Sequence, residues 1–408
     1  MSWEKMKLND VCISISDGDH QPPPKANKGV SFVTISNITN TNQFDFSNTM
    51  FVPQEYYDGL DSKRKAQEGD VLYSVVGSFG IPVYIKNNTP FVFQRHIAIL
   101  RPNVYKIAPQ FLYYTMLNKD FYLKADAAAI GAAQRTVSLT ALRNMEIEIP
   151  HIETQKKIAK ILSSYDNLID NNQKQIKLLE EAAQRLYKEW FVDLRFPGYE
   201  DVKIVDGVPE GWELKPLSNI FKYVRGKSYT SKEIVELGGT LMVNLKNIKP
   251  FGSYNRNVEK RFDGNYKDSQ KLNAGDLIMG VTDMTQERRL VGHIAIVPDM
   301  GETMTFSMDL IKLVPLSVKK SFIYATMYFG GYSKKISPLA NGVNVLHLKP
   351  EAMMNMKMLI PTEEVIEQYD KIFEVYQKQI EVLQKQCDFA TEARDRLLPK
   401  LMSGEIEI

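Results

Sequence analysis

Residues with reactive or metal-binding side chains are scarce in this sequence. Its 408 residues include only two cysteines and five histidines. Cys12 and Cys387 lie near opposite ends, and neither belongs to a CxxC pair, which argues against a disulfide framework and a structural zinc site. We expect each cysteine to be a small buried apolar residue. No two histidines have HxxxH or HExxH spacing, so the sequence predicts no metal site.

The sequence also lacks an excess of charge and long apolar runs. Its 51 Lys and Arg residues nearly balance 49 Asp and Glu residues, which gives a formal net charge of +2. This balance excludes a basic tail protein and an acidic disordered chain, but not DNA binding, since charge can be unevenly distributed. No run approaches the roughly 18 apolar residues of a membrane span, and no apolar segment of a secretion signal follows Met1. We therefore expect a soluble, cytoplasmic protein with no membrane partner.

Motifs of common enzyme families are missing as well. The nearest match to the phosphate-binding GxxxxGK[ST] motif ends at Gly226, Lys227 and Ser228, but Phe221 replaces its first glycine. The sequence contains no GxGxxG dinucleotide fingerprint and no GxSxG nucleophile elbow. These absences favour a binding protein over an enzyme.

What the sequence does contain is a repeat with a period of about half the chain. FLYYTM at 111–116 recurs as FIYATM at 322–327, a shift of 211 residues, and Gly131 matches Gly342 at the same shift. Further matches in the same order are GDVLY at 69–73 with GDLIM at 275–279, and Pro150 with Pro361. Anchors that recur in order predict an internal duplication.

Each half has the pattern of a mixed α and β domain that ends in a long helix. Short apolar stretches separated by Gly, Pro, Asn and Asp predict strands, and the pattern changes to helical spacing after each closing proline. We predict an α+β fold with an internal pseudo-twofold repeat. The predicted segments are globular domains at 1–150 and 212–361, helical segments at 151–195 and 362–408, and a linker at 196–211.

Both helical segments carry apolar residues at alternating spacings of four and three, which is the seam pattern of a coiled coil. We expect the two helices to pair, because neither can bury its seam alone. The first predicted seam comprises Ile158, Leu162, Tyr165, Ile169, Asn172, Ile176, Leu179 and Leu186, and the second comprises Tyr369, Phe373, Tyr376, Ile380, Leu383 and Leu397. Asn172 either fixes the register from within the seam or faces water at its edge.

Charge is concentrated in one part of the second half. Residues 215–271 contain twelve basic and five acidic residues, a net +7, interleaved with aromatic residues. Residues 1–70 contain seven basic and ten acidic residues, a net −3. Basic side chains in such a segment can neutralise DNA phosphates, although a solvated surface has the same composition.

Several motifs carry a resemblance to a known family. They are DGDHQPP at 17–23 followed by VSFVTISNI at 30–38, GDVL at 69–72 with VGSFG at 76–80, GAAQRTVS at 131–138, IEIP at 147–150 leading into QKKI at 155–158, and RLLPKLMSGEI at 396–406. Together with the duplication and the two helices, they resemble the specificity subunits of type I restriction–modification systems over essentially the whole chain.

The resemblance implies that the globular domains are target recognition domains, each binding one half of a split, asymmetric site in double-stranded DNA through loops in the major groove. It implies that the helices pair antiparallel, set the spacing and dock two modification subunits, which bind S-adenosylmethionine and methylate adenine. A translocase–nuclease subunit can join for restriction. The chain itself then has no catalytic residue and no cofactor.

Candidate DNA contacts are polar or basic residues in the motifs and their counterparts, because such side chains bind base edges or phosphates. In the first half they are Asp19, His20, Gln21, Lys25, Lys28, Asn37, Ser78, Arg95, Gln134 and Arg135. In the second half they are Arg225, Lys227, Ser228, Tyr229, Lys246, Asn247, Arg256, Arg288, Arg289 and Asn344. The second half departs from the pattern, since Val345 and Leu346 stand where the first half has Gln134 and Arg135.

Two alternatives stay open from the sequence. A coiled-coil scaffold would assemble partners without binding a specific duplex. A self-contained nuclease or methyltransferase would be active as the purified chain with metal or S-adenosylmethionine.

The first helix has a length that can serve as a spacer. Residues 155–190 span about 54 Å as a helix, which equals about 16 base pairs of DNA. Since the domains lean inward from the ends, we expect half-site centres about one helical turn apart.

Overall fold

The structure, a computed structural model, describes residues 3–408 except residues 19, 21, 40 and 133. Two sets of residues form separate units. Unit 1 comprises Met1–Asn171 and Gln386–Ile408, and unit 2 comprises Asn172–Lys385. Each unit therefore contains part of each long helix, and the globular segment of each unit is attached to helix from both halves of the chain.

Unit 1 combines short strands, short helices and half of a 40-residue helix. Its strands are β1 (Glu4–Lys7), β2 (Cys12–Asp17), β3 (Val30–Val33), β4 (Met50–Val52), β5 (Val71–Ser74), β6 (Pro82–Tyr84), β7 (Phe91–Phe93), β8 (Ile97–Pro102) and β9 (Glu146–Ile149). Its helices are α1 (Leu8–Val11), α2 (Gln54–Asp58), α3 (Pro109–Leu117), α4 (Lys119–Ala128), α5 (Leu139–Asn144) and the first half of α6 (Ile152–Phe191).

The strands of unit 1 form a four-stranded antiparallel sheet in the order β2-β8-β5-β6, a three-stranded sheet β4-β3-β7 and the pair β1-β9. Strand β5 is buried on both faces. Val71 and Tyr73 pack with Phe111 of α3, whereas Leu72 packs on the opposite side with Phe93 of β7. This alternation follows from the two-residue period of a strand and explains why the segment is apolar throughout.

Unit 2 contains the same types of element. Its strands are β10 (Ile204–Val205), β11 (Val208–Pro209), β12 (Glu213–Pro216), β13 (Phe221–Arg225), β14 (Ile234–Val235), β15 (Thr240–Val243), β16 (Arg261–Phe262), β17 (Lys271–Leu272), β18 (Leu277–Gly280), β19 (Thr282–Asp283), β20 (Ile294–Ile296), β21 (Met304–Phe306), β22 (Leu310–Pro315), β23 (Leu346–His347) and β24 (Lys357–Ile360). Its helices are the second half of α6, α7 (Lys320–Tyr328), α8 (Tyr332–Ile336) and the first part of α9 (Glu363–Met402).

The two units share their topology, as the duplication predicts. The sheet β13-β22-β18-β20 corresponds to β2-β8-β5-β6, and the pair β12-β24 corresponds to β1-β9. Strand β15 runs parallel to β21 as β3 runs parallel to β7. The sheet that contains β15 is extended to the order β14-β16-β15-β21-β17.

Within unit 1, the first half of α6 packs antiparallel on the last part of α9. Ile169 clusters with Cys387 and Ala390, and one helical turn earlier Asp166 accepts a hydrogen bond from Arg394 (Oδ1 to Nη1, 2.6 Å). The Tyr114 hydroxyl of α3 donates to the other oxygen of Asp166. The globular part of unit 1 is therefore attached to both helices through one partly buried carboxylate.

Within unit 2, the end of α6 packs on the start of α9 through aromatic rings. The Trp190 ring lies 5.9 Å from that of Tyr369, and the Phe191 ring lies 4.9 Å from it. The C-terminal end of α6 thus meets the N-terminal part of α9. Phe373 of the predicted seam is buried one turn further along α9.

All predicted seam residues are buried or half-buried. Ile158, Leu162, Ile169, Asn172, Tyr369 and Phe373 are buried, whereas Tyr165, Ile176, Leu179, Leu186, Tyr376, Ile380, Leu383 and Leu397 are half-buried. Asn172 is only 2% exposed, so the alternative in which it faces water is wrong.

Part of the segment predicted as a linker is packed. Phe196 is 2% exposed, and its ring lies 5.3 Å from that of Trp212 within unit 2. A buried aromatic ring contributes a large apolar area to a core, so the chain around Phe196 is part of unit 2 and not a loose linker. The rest of the segment forms the hairpin β10–β11, whose strand β10 is exposed. No helix in the described part of the chain is long and apolar enough to cross a membrane.

Candidate nucleic-acid interface

Four loops of unit 1 meet at one edge of its four-stranded sheet, which we call the loop edge of unit 1. They are the segment after β2, the segment after β5, the turn between β7 and β8, and the loop before α5. The Gly18 N–H donates to the Ile97 carbonyl (3.2 Å), the Val75 N–H donates to the His96 carbonyl (2.8 Å), and the Val137 N–H donates to the Val75 carbonyl (2.9 Å). Backbone hydrogen bonds thus hold all four loops together.

Unit 2 has the same arrangement at its own loop edge. The Gly226 N–H donates to the Leu310 carbonyl (3.2 Å), the Val281 N–H donates to the Asp309 carbonyl (2.8 Å), and the Leu348 N–H donates to the Val281 carbonyl (2.8 Å). These bonds correspond one to one with those of unit 1. The repeated sequence therefore builds the same loop scaffold twice.

A glycine is required at the same point of each scaffold. Gly131 and Gly342 have φ of +99° and +154°, which side chains rarely adopt. A Cβ atom would lie 2.7 Å from the Gln134 carbonyl oxygen in the first case and 1.9 Å from the Val345 carbonyl oxygen in the second. The glycine of the GAAQRTVS motif is therefore structural.

Most predicted contacts of unit 1 are exposed, and all of these except Lys25 and Lys28, which precede β3, lie on or near its loop edge. His20, Lys25, Lys28, Ser78, Arg95, Gln134 and Arg135 are exposed. The His20 Nε2 atom lies 2.8 Å from an Asp17 carboxylate oxygen at the end of β2. Asp19 and Gln21 lie outside the described residues.

Arg135 is held in place by its neighbours. Its guanidinium forms an ion pair with Asp126 of α4 and lies 5.5 Å from the centre of the Phe79 ring. The Phe79 ring in turn stacks on Tyr122, with 5.8 Å between ring centres and 13° between planes. A planar guanidinium fixed on an aromatic face keeps donors available for a planar acceptor such as a guanine edge.

Asn247, predicted as a DNA contact, is structural instead. It is 2% exposed, its Oδ1 accepts the Asn244 N–H (2.9 Å), and its Nδ2 donates to the Asn255 and Val258 carbonyls. With its amide group committed to the backbone, it has no free edge for a base. The sequence could not show this, because a capping Asn and a base-contacting Asn look alike.

Asn37 occupies the equivalent position in unit 1. Its Oδ1 accepts the Thr34 N–H (2.9 Å), and its Nδ2 lies 3.5 Å from the Asp45 carbonyl oxygen. It is half-buried, and its main role is the same capping of the turn after β3. The motif VSFVTISNI is thus a strand followed by a capped turn.

The predicted contacts of unit 2 divide into two groups. Those at or next to the loop edge are Arg225, Lys227, Ser228, Lys246, Arg288, Arg289 and Asn344. Lys246 belongs to this group because it lies in the turn that follows β15. The last residue of β15, Val243, accepts the N–H of Ser307 (2.8 Å), which lies in the turn between β21 and β22 at the loop edge. Tyr229 and Arg256 form the second group and are half-buried. The Lys260 ammonium lies over the Tyr229 ring, 4.2 Å from its centre.

Two of the cations at the edge are already paired with carboxylates. Arg225 donates to Glu351 (2.9 Å), and Arg289 forms an ion pair with Glu287. Hydrogen bonds from the Tyr223 hydroxyl, from the backbone N–H of Glu351 and from Arg225 lower the pKa of Glu351 to about 2. Exposed ion pairs of this kind contribute little stability in water, so a phosphate can replace the carboxylate as the partner of the arginine.

No sequence motif predicted the role of Asp283. This residue is 1% exposed and accepts hydrogen bonds from the Thr285 N–H (2.8 Å), the Leu290 N–H (2.7 Å) and the Val291 N–H (3.3 Å). Burial by itself raises the pKa of this carboxyl, but the hydrogen bonds from Leu290, Thr285 and Val291 lower it below its ordinary value. One buried carboxylate therefore shapes the loop that presents Arg288 and Arg289. Asp283 aligns with Gly77 of unit 1, which has no carboxylate, and this difference was the one sign in the sequence that the two loops are held differently.

The comparison with known families identifies the domain. The family model described as type I restriction modification DNA specificity domain matches residues 1–181. Residues 1–181 are therefore similar to this domain family.

Similar proteins extend this match over the whole chain. The HindI specificity subunit of Haemophilus influenzae, a type I restriction enzyme component, is 22% identical over 479 aligned positions that cover 99% of each chain. The MjaIX specificity subunit of Methanocaldococcus jannaschii is 28% identical over 311 positions, covering 74% of this chain and 70% of the relative. The resemblance predicted from the motifs is confirmed, as is the expectation of a specificity subunit rather than a self-contained enzyme.

A solved structure shows the same fold. The crystal structure of a type I restriction–modification S subunit from M. genitalium matches with a TM-score of 0.61 at 16% identity, covering 98% of this chain and 96% of that chain. The predicted α+β fold class with two globular domains and two long helices is confirmed.

Proposed function

We propose that this chain is the DNA-binding specificity subunit of a type I restriction–modification complex, and that each loop edge binds one half of a split, asymmetric site. The observation that carries this proposal is a scaffold built twice with the same backbone hydrogen bonds but different exposed side chains. A conserved scaffold with variable side chains suits two half-sites of different sequence.

We further propose that the paired helices set the spacing between half-sites and dock two modification subunits. The packing of α6 on α9 within each unit supports the helix pairing. The relatives are named as type I specificity subunits, which supports partners that bind S-adenosylmethionine and methylate adenine, and a translocase–nuclease that can join them. With DNA as the target, the cytoplasm is the expected location.

Mapping methylated adenines tests the function. In a host that expresses this chain with its modification partner, we expect one bipartite motif with an undefined central spacer. A host with the modification partner alone is the control and should show no such motif. Either a continuous motif or no chain-dependent methylation would contradict the proposal.

A further inference from the structure

Equivalent positions on the two loop edges differ in chemistry. In unit 1 an isolated bridge joins Val76 to Thr136, and in unit 2 the corresponding pair is Thr282 and His347. Counting from these bridges, Met284 stands where unit 1 has Ser78. Counting back, Val343 stands where unit 1 has Ala132. Unit 2 thus carries larger apolar side chains at both places.

These two apolar side chains point into solvent. Met284 is 78% exposed and Val343 is 88% exposed. The Gln286 side-chain amide donates to the Val343 carbonyl (2.9 Å), so the two loops are joined. The buried Asp283 carboxylate holds the start of the first loop. The exposed side chains are therefore presented by an ordered backbone.

Cations follow Met284 on the same loop. They are Arg288 and Arg289, and the Phe251 N–H donates to the Arg289 carbonyl (2.7 Å), which joins a third loop to the edge. A loop edge that carries both cations and exposed apolar side chains fits the DNA major groove, where phosphates flank the bases. The apolar group on a base edge there is the C5-methyl of thymine.

We propose that unit 2 recognises thymine in its half-site through contacts of Met284 and Val343 with the C5-methyl group. This inference rests on the proposed function of the loop edge in binding DNA. Ser78 and Ala132 at the equivalent places of unit 1 are too short and, for Ser78, too polar to make the same contact. The two half-sites then differ in chemistry, with methyl recognition confined to one of them.

Replacement of thymine by deoxyuridine tests the inference, because it removes the methyl group and keeps base pairing. The complex of this chain with its modification subunits is titrated with duplexes of the mapped site in which one thymine at a time is replaced. We expect an affinity loss of about fourfold for each contacted methyl group, and only in one half-site. Equal affinity for all duplexes, with specific binding retained, would overturn the inference.

Variants connect the effect to the two side chains. The Met284→Ala/Val343→Ala double variant is expected to bind thymine and deoxyuridine duplexes equally at the sensitive positions. Leu237→Ala is the matched control, since Leu237 is 90% exposed in unit 2 but lies in the turn between β14 and β15. It should keep the full difference in affinity between the thymine and deoxyuridine duplexes.

The outcomes separate this inference from the proposed function. A double variant that still distinguishes thymine from deoxyuridine would overturn the role of Met284 and Val343. Loss of sequence-specific binding by the unmodified complex itself would contradict the proposed function and the inference together. The deoxyuridine series on the unmodified chain does not depend on how the variants fold.

Discussion

At the scale of single residues, some polar side chains at the loop edges hold the backbone, whereas others face outward. Asn247 and Asn37 cap equivalent turns, and Asp283 gathers the amides of one loop. Arg135 combines both roles, since its ion pair with Asp126 fixes a guanidinium that stays exposed. Residue type alone therefore does not distinguish a side chain that binds the backbone from one that is exposed at the loop edge.

Replacing the buried carboxylate of unit 2 should loosen its edge loop. Asp283→Asn keeps one acceptor oxygen but cannot accept from all of Thr285, Leu290 and Val291, which should cost about 1–3 kcal/mol of local stability. We expect faster hydrogen exchange at the Leu290 and Val291 amides and weaker DNA binding. Asp263→Asn is the control, because Asp263 is exposed on another segment of unit 2.

The same carboxylate gives the loop a pH dependence. Because the folded-state pKa of Asp283 is lowered, its stabilisation is fully present above the ordinary carboxyl pKa and is lost as pH falls through the folded value. Amide protection at Leu290 should therefore fall on acidification in the unmodified chain and not in Asp283→Asn. Identical pH profiles for both proteins would contradict this role.

At the scale of elements, the two long helices pack on each other within each unit. Ile169 packs with Cys387 and Ala390 in unit 1, and Trp190 packs with Tyr369 in unit 2. Asn172 is buried near the middle of α6, where an apolar residue is usual in a seam. A buried polar residue at this place favours one register, since a shift would leave its amide without partners.

Lengthening both helices should lengthen the recognised site. Seven residues inserted within 171–177 of α6, with seven inserted at the facing part of α9, keep the seam period and add about 10 Å, or about three base pairs. Methylation mapping should show the same half-sites with a longer spacer. Seven residues inserted in the exposed turn between β10 and β11 are the control and should leave the spacer as it was. An unchanged spacer after the helix insertion would refute the ruler role.

At the scale of the whole molecule, the net charge of +2 hides an uneven distribution. The basic stretch at 215–271 lies in unit 2, whereas residues 1–70 of unit 1 are acidic overall. A weak net field implies modest non-specific affinity for DNA, because that term comes from phosphate neutralisation. Specificity then depends on contacts at the loop edges.

Removing phosphate contacts should weaken binding to every duplex alike. For Lys25→Ala/Lys28→Ala we expect the slope of log affinity against log salt to decrease by about two, with the methylated motif unchanged. Lys174→Ala/Lys177→Ala, which removes two exposed cations from α6, should leave the slope unaltered. A changed motif in the first variant would mean that these lysines contact bases.

Much of the fold could be predicted from the sequence because it depends on local periodicity. The helical segments predicted at 151–195 and 362–408 contain α6 at Ile152–Phe191 and α9 at Glu363–Met402. The segment around Phe196 was predicted less well, because its burial depends on Trp212, a partner that spacing does not reveal. Base contacts were harder to predict. Asn247, for example, is buried because its amide group binds backbone carbonyls of a later segment, and the sequence does not show that contact.

The sequence by itself determined the duplication, the α+β class and the two helical seams, because repeats and apolar periods are properties of the order of residues. Only the tertiary structure decided which polar residues are occupied by the backbone, as with Asn247 and Asp283, and which apolar ones stand free in solvent, as with Met284 and Val343. The reason is physical: a loop residue gains its role from hydrogen bonds and packing with segments far away in the chain, and those partners meet only when the fold is complete.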